Sequence, residues 1–210
     1  MLENCTHNLE NKDDMDRLTY FVLFSMLVST FAMPKTSVSK VYNFPFISRS
    51  EWGANPPTGV TLLNYPVPYV VIHHSYIPGV CMTTDECKAA MRAMQNYHQN
   101  DQQWVDIGYN FAVGGEGSVY EGRGWDTVGA HAVGYNVFSI GICLIGDWVS
   151  ELPPPIQLEN AKKLIAAGVQ LGYISPNYNL IGHRQATATE CPGESLFREI
   201  TSWDRFSIAG

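Results

Sequence analysis

The stretch "SIGICLIG" (residues 139–146) is apolar almost throughout and carries no charged side chain. An apolar run of this length is typical of a central strand that is covered on both faces of a sheet. The run "YVVIHHS" (residues 69–75) lies between prolines and is rich in β-branched residues, so it predicts a second buried strand. The run "YNLIGH" (residues 178–183) predicts a last strand. These runs place a β-sheet at the centre of the predicted fold.

Helical patterns alternate with these strands. Residues 83–98 begin with Thr83 and Glu86 at capping-box spacing, and further helical repeats follow residue 155 and cover residues 195–203. The apolar residues on one face of the first helix are Cys87, Met91, Met94 and Tyr97. Residues 108–122 predict two strands around a Gly-rich turn. The alternation predicts a single-domain α/β fold, a central mixed β-sheet with helices packed on it.

The composition limits the class of protein. The chain has 210 residues, 45% of them hydrophobic, which is enough to bury one core. Aromatic residues make up 12% and charged residues 16%, as in a globular rather than a disordered chain. The net charge is −7, and no basic run is present to contact phosphates, so no nucleic acid partner is predicted.

The N-terminus differs from the rest of the chain. Residues 1–17 are polar and acidic, whereas residues 18–32 ("LTYFVLFSMLVSTFA") are apolar and uncharged. This run is shorter than the roughly 20 residues that span a bilayer, and it suits a signal-peptide core, with Met15 as an alternative start. We therefore predict a leader with a signal peptide over residues 1–33, a linker over 34–43, no stable membrane span and secretion. An uncleaved anchor and an intracellular isoform are the alternatives.

The five cysteines fall in different contexts. Cys5 lies in the leader. Cys81 and Cys87 can close a small disulfide loop in an oxidising compartment. Cys143 lies inside an apolar strand, which favours a buried free thiol. Cys191 remains, and it is a structural thiol, a nucleophile or a metal ligand.

The positions of the histidines favour the hypothesis that Cys191 is a metal ligand. His73 and His74 end one predicted strand, His183 ends another, and Cys191 follows in a turn before a proline. Side chains delivered from strand ends and one loop can converge on a point. Two imidazoles and a thiolate suit Zn²⁺ and leave the fourth tetrahedral position for water. The spacing H-x₇-C alone is a weak signal.

Seven sequence segments, taken together, are more specific for a protein family than the spacing of the candidate ligands is. In chain order they are "VIHHS", "C-x₅-C", "QNYHQ", "DIGYNFAVGGEGSVYEGRGW", "GAHAVGYN", "SIGICLIG" and "GHRQATATECPG". Together they resemble the peptidoglycan recognition protein family over about residues 44–206, and that family is similar to phage-lysozyme-type zinc amidases. The resemblance implies an N-acetylmuramoyl-L-alanine amidase-like domain that cuts the amide between the muramic-acid lactyl group and the first alanine of the peptidoglycan stem. The resemblance further implies that a secreted amidase of this kind would dampen the innate immune response by degrading its elicitor.

The resemblance also implies roles for single residues. The zinc ligands fall on His73, His183 and Cys191, the catalytic tyrosine on Tyr109, and an assisting hydroxyl on Thr189. The binding-groove positions fall on His74, His98, Gln102, Gln103, Trp104, Arg123 and His131.

These residue types suit amide hydrolysis. A zinc ion lowers the pKa of water to about 7 and polarises a carbonyl. No H-E-x-x-H motif supplies a glutamate base. Tyr109 can instead orient the water or donate to the oxyanion, and Thr189 adds a weaker hydroxyl contact.

The resemblance also implies which type of peptidoglycan is bound, through the position of one arginine. Peptidoglycan stems carry lysine or meso-diaminopimelic acid (DAP) at the third position, and DAP adds a carboxylate. Arg123 occupies the position where DAP-binding members of the family carry arginine, whose planar fork suits a carboxylate. Trp104 matches the tryptophan of their Gly-Trp pair, but Gln103 stands where that pair has glycine. The resemblance therefore predicts DAP-type muropeptides as partners, with Gln103 as a departure.

Two other functions are consistent with parts of the pattern. Cys191 could act as a nucleophile with His183, which would make a cysteine amidase. A non-catalytic sensor would keep the groove, but recognition-only members of the family commonly lack the cysteine that is present here as Cys191. Sensitivity to a chelator separates the first alternative from a zinc enzyme, and a metal assay tests the second.

Overall fold

A computed structural model describes residues 42–208 of the protein. In this part of the chain six strands form one sheet in the order β1-β4-β3-β5-β2-β6. Neighbouring strands are parallel except for the hairpin of β3 and β4. The predicted mixed sheet is confirmed. The strands are β1 (Phe46–Ile47), β2 (Val67–His74), β3 (Phe111–Val113), β4 (Val119–Glu121), β5 (Ser139–Leu144) and β6 (Ile174–Gly182).

Helices cover both faces of this sheet. The apolar residues of β5 alternate between the two faces: Ile140 and Ile142 join the core beneath the helices of residues 155–170 and 194–200, whereas Cys143 joins the core beneath the helix of residues 84–96. Every residue of β5 is buried, as its continuous apolar sequence predicts. The helices are α1 (Arg49–Trp52), α2 (Thr84–Asn96), α3 (Pro155–Gln170), α4 (His183–Ala186) and α5 (Glu194–Ile200).

Helix α2 begins at the predicted capping box and ends earlier than predicted. The Thr83 hydroxyl accepts a hydrogen bond from the Glu86 amide, and the Glu86 carboxylate accepts one from the Thr83 amide. After Asn96 the chain makes a π-helical turn over Tyr97–Asp101. At the start of this turn Tyr97 is 53% exposed, whereas the next residue, His98, is buried. The prediction that Tyr97 belongs to the buried face is wrong.

The parallel strands β2, β5 and β6 end at one edge of the sheet. Ile72 on β2 pairs with Gly182 on β6, and His73 pairs with Cys143 on β5. His73 is therefore the penultimate residue of one strand, and His183 directly follows the end of its neighbour. Parallel pairing thus delivers two histidines, far apart in sequence, to the same edge.

The described cysteines have the predicted pairing. Cys81 and Cys87 form a disulfide with a Cα–Cα distance of 5.1 Å, which confirms the prediction. The bond ties the loop after β2 to the first turn of α2. Cys143 is a buried free thiol, also as predicted, and Cys191 is free and partly buried.

Removal of this disulfide should cost stability but leave the chemistry intact. Closing so short a loop contributes about 2 kcal/mol to the free energy of unfolding in the chain-entropy model. The double variant Cys81→Ser/Cys87→Ser is expected to unfold roughly 4–8 °C lower in a thermal melt. Peptide mapping of the unmodified protein is the control. A fragment that joins Cys81 to Cys143 or Cys191 would contradict the pairing.

The predicted leader and most of the predicted linker lie outside the described residues. Within residues 42–208, no helix has the length and apolar character needed to cross a membrane.

Candidate active site

A cavity of about 480 Å³ opens where the carboxyl ends of β2 and β6 meet. The loop after α4 and the loop after the π-helical turn complete its wall. The structure therefore gathers most of the predicted site residues in one place. Those that line the cavity are His73, His74, His98, Trp104, Tyr109, His131, His183, Thr189 and Cys191.

His73, His183 and Cys191 form a compact set of candidate metal ligands. One ligand atom from each lies within 4.8 Å of the other two. The distance from Cys191 Sγ to His73 Nδ1 is 3.7 Å. A tetrahedral zinc with ordinary Zn–S and Zn–N bonds would set these two atoms about 3.5 Å apart. The donor types and the spacing fit a zinc ion.

The Cys191 thiol lies in a partly buried environment. Burial raises its pKa to about 12, although the His74 amide and the charge of Arg184 act in the opposite direction. The His74 N–H lies 3.4 Å from Sγ. Without a cation the sulfur is therefore a thiol at neutral pH, and a metal must displace its proton to bind.

The histidines around the cavity are uncharged at neutral pH. Burial lowers the pKa of His73 well below its ordinary value, lowers that of His98 to about 4 and lowers that of His131 to about 3. Burial also lowers the pKa values of His74 and His183. A neutral imidazole keeps a lone pair on one nitrogen, which metal coordination requires.

Backbone amides fix the tautomers of His74 and His98. The Trp148 N–H donates to His74 Nδ1 (3.3 Å), and the Gly108 N–H donates to His98 Nδ1 (3.1 Å). Each neutral ring must then carry its proton on Nε2. His98 also stacks on Trp104, with ring centroids 4.8 Å apart. The wall thus holds two imidazole N–H donors and one exposed indole face.

Two hydroxyl groups accompany the candidate ligands. The ring of Tyr109 lies 5.3 Å from the ring of His73 between centroids. Burial and the neighbouring thiols of Cys143 and Cys191 raise the pKa of Tyr109 well above its ordinary value, so its O–H stays protonated. Thr189 Oγ1 accepts the Cys191 N–H at 3.2 Å, which leaves the threonine proton free to donate.

Arg184 holds the loop that carries Cys191, a role that the sequence reasoning missed. Its backbone N–H donates to the Cys191 carbonyl at 2.8 Å. Its guanidinium donates to the Glu190 carbonyl at 2.6 Å and pairs with the Glu194 carboxylate at 2.7 Å. The only signal in the sequence is that Arg184 directly follows a candidate ligand in "GHR".

Arg123, a predicted groove residue, is not among the residues that line this cavity, and it lines a smaller pocket with Arg49, Asp106 and Thr127. Its Nε donates to the Ile107 carbonyl (2.6 Å) and its Nη1 to the Val128 carbonyl (2.8 Å). The guanidinium is thus part of the packing behind the wall, because backbone carbonyls that point inward there need donors. Its positive charge still reaches the cavity, since it helps to lower the pKa values of His98 and His131.

The two glutamines also lie outside the cavity lining. Gln102 donates from its side chain to the Tyr97 hydroxyl, and Gln103 donates to the Asn100 carbonyl. Gln103 has a φ of 58°, in the left-handed region that favours glycine. It therefore keeps the backbone conformation suited to the glycine of the family pair, and its side chain is exposed and does not line the cavity.

Further residues line the cavity that sequence reasoning did not single out. All but Val149 stand within two residues of predicted ones in the chain, and that proximity was the available signal. They are Ser75, Tyr76, Ala130, Val149 and Glu190.

Comparison with known proteins agrees with this architecture. A sequence profile described as N-acetylmuramoyl-L-alanine amidase matches residues 63–194. "Peptidoglycan-recognition protein LB" of Drosophila melanogaster is 51% identical over 187 residues, which cover 89% of this chain and 81% of that protein. The chain belongs to the peptidoglycan recognition proteins of the N-acetylmuramoyl-L-alanine amidase family. The wild-type structure of Drosophila PGRP-LB superposes on this amidase-family domain with a TM-score of 0.76 at 55% identity, covering 77% of this chain and 95% of that one.

Other relatives of this peptidoglycan recognition protein carry more specific names. A human protein named "N-acetylmuramoyl-L-alanine amidase" is 42% identical over 162 residues, which cover 76% of this chain and 28% of the human protein. A solved structure of a Drosophila PGRP-LB variant contains tracheal cytotoxin, and its TM-score with this domain is 0.77 at 54% identity, covering 77% of this chain and 96% of that one.

Proposed function

We propose that the protein is a zinc-dependent amidase that hydrolyses the bond between the lactyl group and L-alanine in bacterial peptidoglycan. The observation that carries the proposal is the convergence of His73, His183 and Cys191 within 4.8 Å at the floor of a cavity that also contains Tyr109. Relatives named as amidases support the reaction.

Each side chain of the site has a separate role in the proposed reaction. A zinc ion held by His73, His183 and Cys191 would polarise the scissile carbonyl and lower the pKa of water. The protonated Tyr109 hydroxyl donates to the oxygen on which negative charge develops, and Thr189 offers a second, exposed donor. The Nε2–H groups of His74 and His98 orient the polar groups of the stem peptide, while Trp104 provides an apolar face.

The favoured substrate is DAP-type peptidoglycan. A structure of the relative PGRP-LE, which is 44% identical to this chain, is described as a complex with monomeric diaminopimelic acid-type peptidoglycan. In this chain Arg123 is a cation near His98 and His131, although Asp106 acts on His98 in the opposite direction, and a cation beside the groove is the feature that an additional carboxylate would use. Degradation of such fragments would remove an elicitor of innate immunity.

Secretion is the location that suits this substrate. The apolar segment of residues 18–32 has the length of a signal-peptide core, and the Cys81–Cys87 disulfide is stable in an oxidising compartment. Bacterial peptidoglycan is met outside the cell, so the proposed location brings the enzyme to its substrate.

The direct test is mass spectrometry of DAP-type fragments after incubation with the protein. A zinc amidase releases the free stem peptide, loses this activity to a chelator and regains it with Zn²⁺. Cleavage that resists the chelator but is lost on alkylation would instead indicate that Cys191 is a nucleophile. Fragments that bind but remain uncut would indicate a sensor.

Zinc binding should strengthen as the pH rises. The Cys191 pKa of about 12 means that one proton leaves the thiol on binding, whereas the pKa values of His73 and His183 are lowered and these rings release none near neutral pH. The expected result is a Kd for zinc that falls about tenfold per pH unit between pH 7 and pH 9. Chelator competition measures it, and a Kd that does not change over this range would contradict thiolate ligation.

Arg123→Ala should lower the preference for DAP-type fragments. Loss of the positive charge behind the wall is expected to reduce kcat/KM for DAP-type fragments by about tenfold, or about 1.4 kcal/mol, and to leave lysine-type fragments nearly unchanged. Arg49→Ala is the matched control, because Arg49 also donates to a backbone carbonyl, that of Asn55, and it pairs with the Asp106 carboxylate. If kcat/KM of the Arg123 variant falls equally on DAP-type and lysine-type fragments, the residue has only a structural role in packing.

A further inference from the structure

His131 is placed to act on a candidate metal ligand rather than on the substrate. His73 presents Nδ1 to Cys191 Sγ, and its other nitrogen, Nε2, lies 3.0 Å from His131 Nδ1. Both rings are buried, with 1% of His73 and 7% of His131 exposed. The contact is therefore a hydrogen bond shielded from water, and its direction is determined by the protons on the two rings.

Only one arrangement of protons satisfies the whole chain of contacts when His73 binds a metal. With the Nδ1 lone pair of His73 committed to the metal, its proton must lie on Nε2 and be donated to His131 Nδ1. The proton of His131 then lies on its Nε2, which is 3.4 Å from Ser139 Oγ. The Ser139 hydroxyl donates in turn to the Tyr135 carbonyl at 2.7 Å. Each donor has an acceptor, and no ring needs a charge.

We propose that His131 is a positioning residue that fixes the tautomer and ring orientation of His73 for metal binding. The inference rests on the proposed zinc site and extends it by one shell of residues. A ligating histidine commonly gives its second N–H to a fixed acceptor, and loss of that acceptor typically weakens metal affinity by 10–100-fold. In this protein the acceptor is the Nδ1 lone pair of a second, neutral imidazole.

The surroundings of His131 keep its ring in place. Gly129 and Gly141 face the ring so closely that a β-carbon at either position would collide with it. The Asn136 side-chain oxygen accepts the backbone N–H groups of His131 and Ala132, at 2.8 Å each. Ring and backbone are thus held from independent directions, as a fixed acceptor requires.

This arrangement leaves His131 little capacity to bind substrate. Both of its ring nitrogens have partners inside the protein, His73 and Ser139. Its place in the cavity wall therefore does not make it a substrate donor comparable to His74 and His98, whose Nδ1 atoms bind backbone amides and whose Nε2–H groups remain available.

The test compares amides that place an acceptor at different distances along the side chain. Asn carries its amide oxygen on Cγ, as histidine carries Nδ1, whereas Gln carries its amide one atom further out. The Kd for Zn²⁺, measured by chelator competition on the full chain, is expected to rise 10–100-fold in His131→Leu and His131→Gln, and by less than about fivefold in His131→Asn. Gly141→Ala, which displaces the ring but retains the imidazole, is expected to weaken zinc binding in the same direction.

The outcomes separate this inference from the zinc hypothesis itself. A wild-type protein that binds no zinc overturns both. Wild-type zinc affinity in both His131→Gln and Gly141→Ala contradicts the role of His131 and leaves the zinc site standing. The same conclusion follows if these variants keep their zinc affinity but bind a DAP-type muropeptide more weakly. If His131→Leu does not fold, the difference between the Asn and Gln variants still decides, and equal affinity in these two contradicts the proposal.

Discussion

Cys191→Ser is expected to abolish zinc binding and hydrolysis together while the domain stays folded. A serine hydroxyl does not ionise near neutral pH, so the variant loses the only anionic donor among the three candidate ligands. Metal assistance contributes several kcal/mol to the reaction, so kcat/KM should fall on the order of 10³-fold or more. Metal analysis should find about one zinc per chain in the unaltered protein and almost none in the variant.

The control for this experiment is the other described free cysteine. Cys143 is buried on β5 and is not in the candidate ligand set, so Cys143→Ala should retain one zinc per chain even if its melting temperature falls. Full hydrolysis by metal-free Cys191→Ser protein would contradict the zinc mechanism.

Tyr109→Phe is expected to lower kcat on the order of 10²-fold while zinc content and muropeptide binding are retained. The raised pKa of Tyr109 means that its O–H is present as a donor over the whole physiological pH range. Phenylalanine keeps the ring beside His73 and removes only this donor. Kinetics on a DAP-type fragment, together with metal analysis of the same preparation, measure the effect.

Tyr120→Phe is the matched control for this substitution. Tyr120 is a buried tyrosine that packs in the same core cluster as the partly buried Tyr109, but its hydroxyl donates to Glu116 Oε1 at 2.6 Å and it does not line the cavity. The control should lose some stability and keep its activity. A Tyr109→Phe enzyme that turns over as fast as this control would show that the phenol has no part in catalysis.

The fold and the candidate ligands could be predicted because they depend on local patterns and on one rule of geometry. The apolar runs predicted β2, β5 and β6, and parallel strands bring their carboxyl ends to a common edge. That rule is sufficient to bring His73 and His183 together from distant parts of the sequence. The capping box at Thr83 likewise depends only on residues within one turn.

The features that could not be predicted depend on contacts across the fold. The π-helical turn over Tyr97–Asp101, in which Tyr97 is exposed and His98 is buried, has no distinct pattern in the residues that form it. The position of Arg123 is determined by the carbonyls of Ile107 and Val128, which a single sequence does not reveal. The same is true of histidine tautomers, which depend on which backbone amide or ring faces each nitrogen.

The uncharged imidazoles of the cavity make the free energy of unfolding depend on pH under acidic conditions. A denatured chain takes up a proton on each histidine near pH 6.5, whereas folded His98 and His131 do so only near pH 4 and pH 3. Denaturation therefore consumes protons in this interval, and falling pH drives it by about 1.4 kcal/mol per pH unit for each of these rings. Acidification therefore lowers the free energy of unfolding of the domain at pH values where these two rings are still neutral in the folded protein.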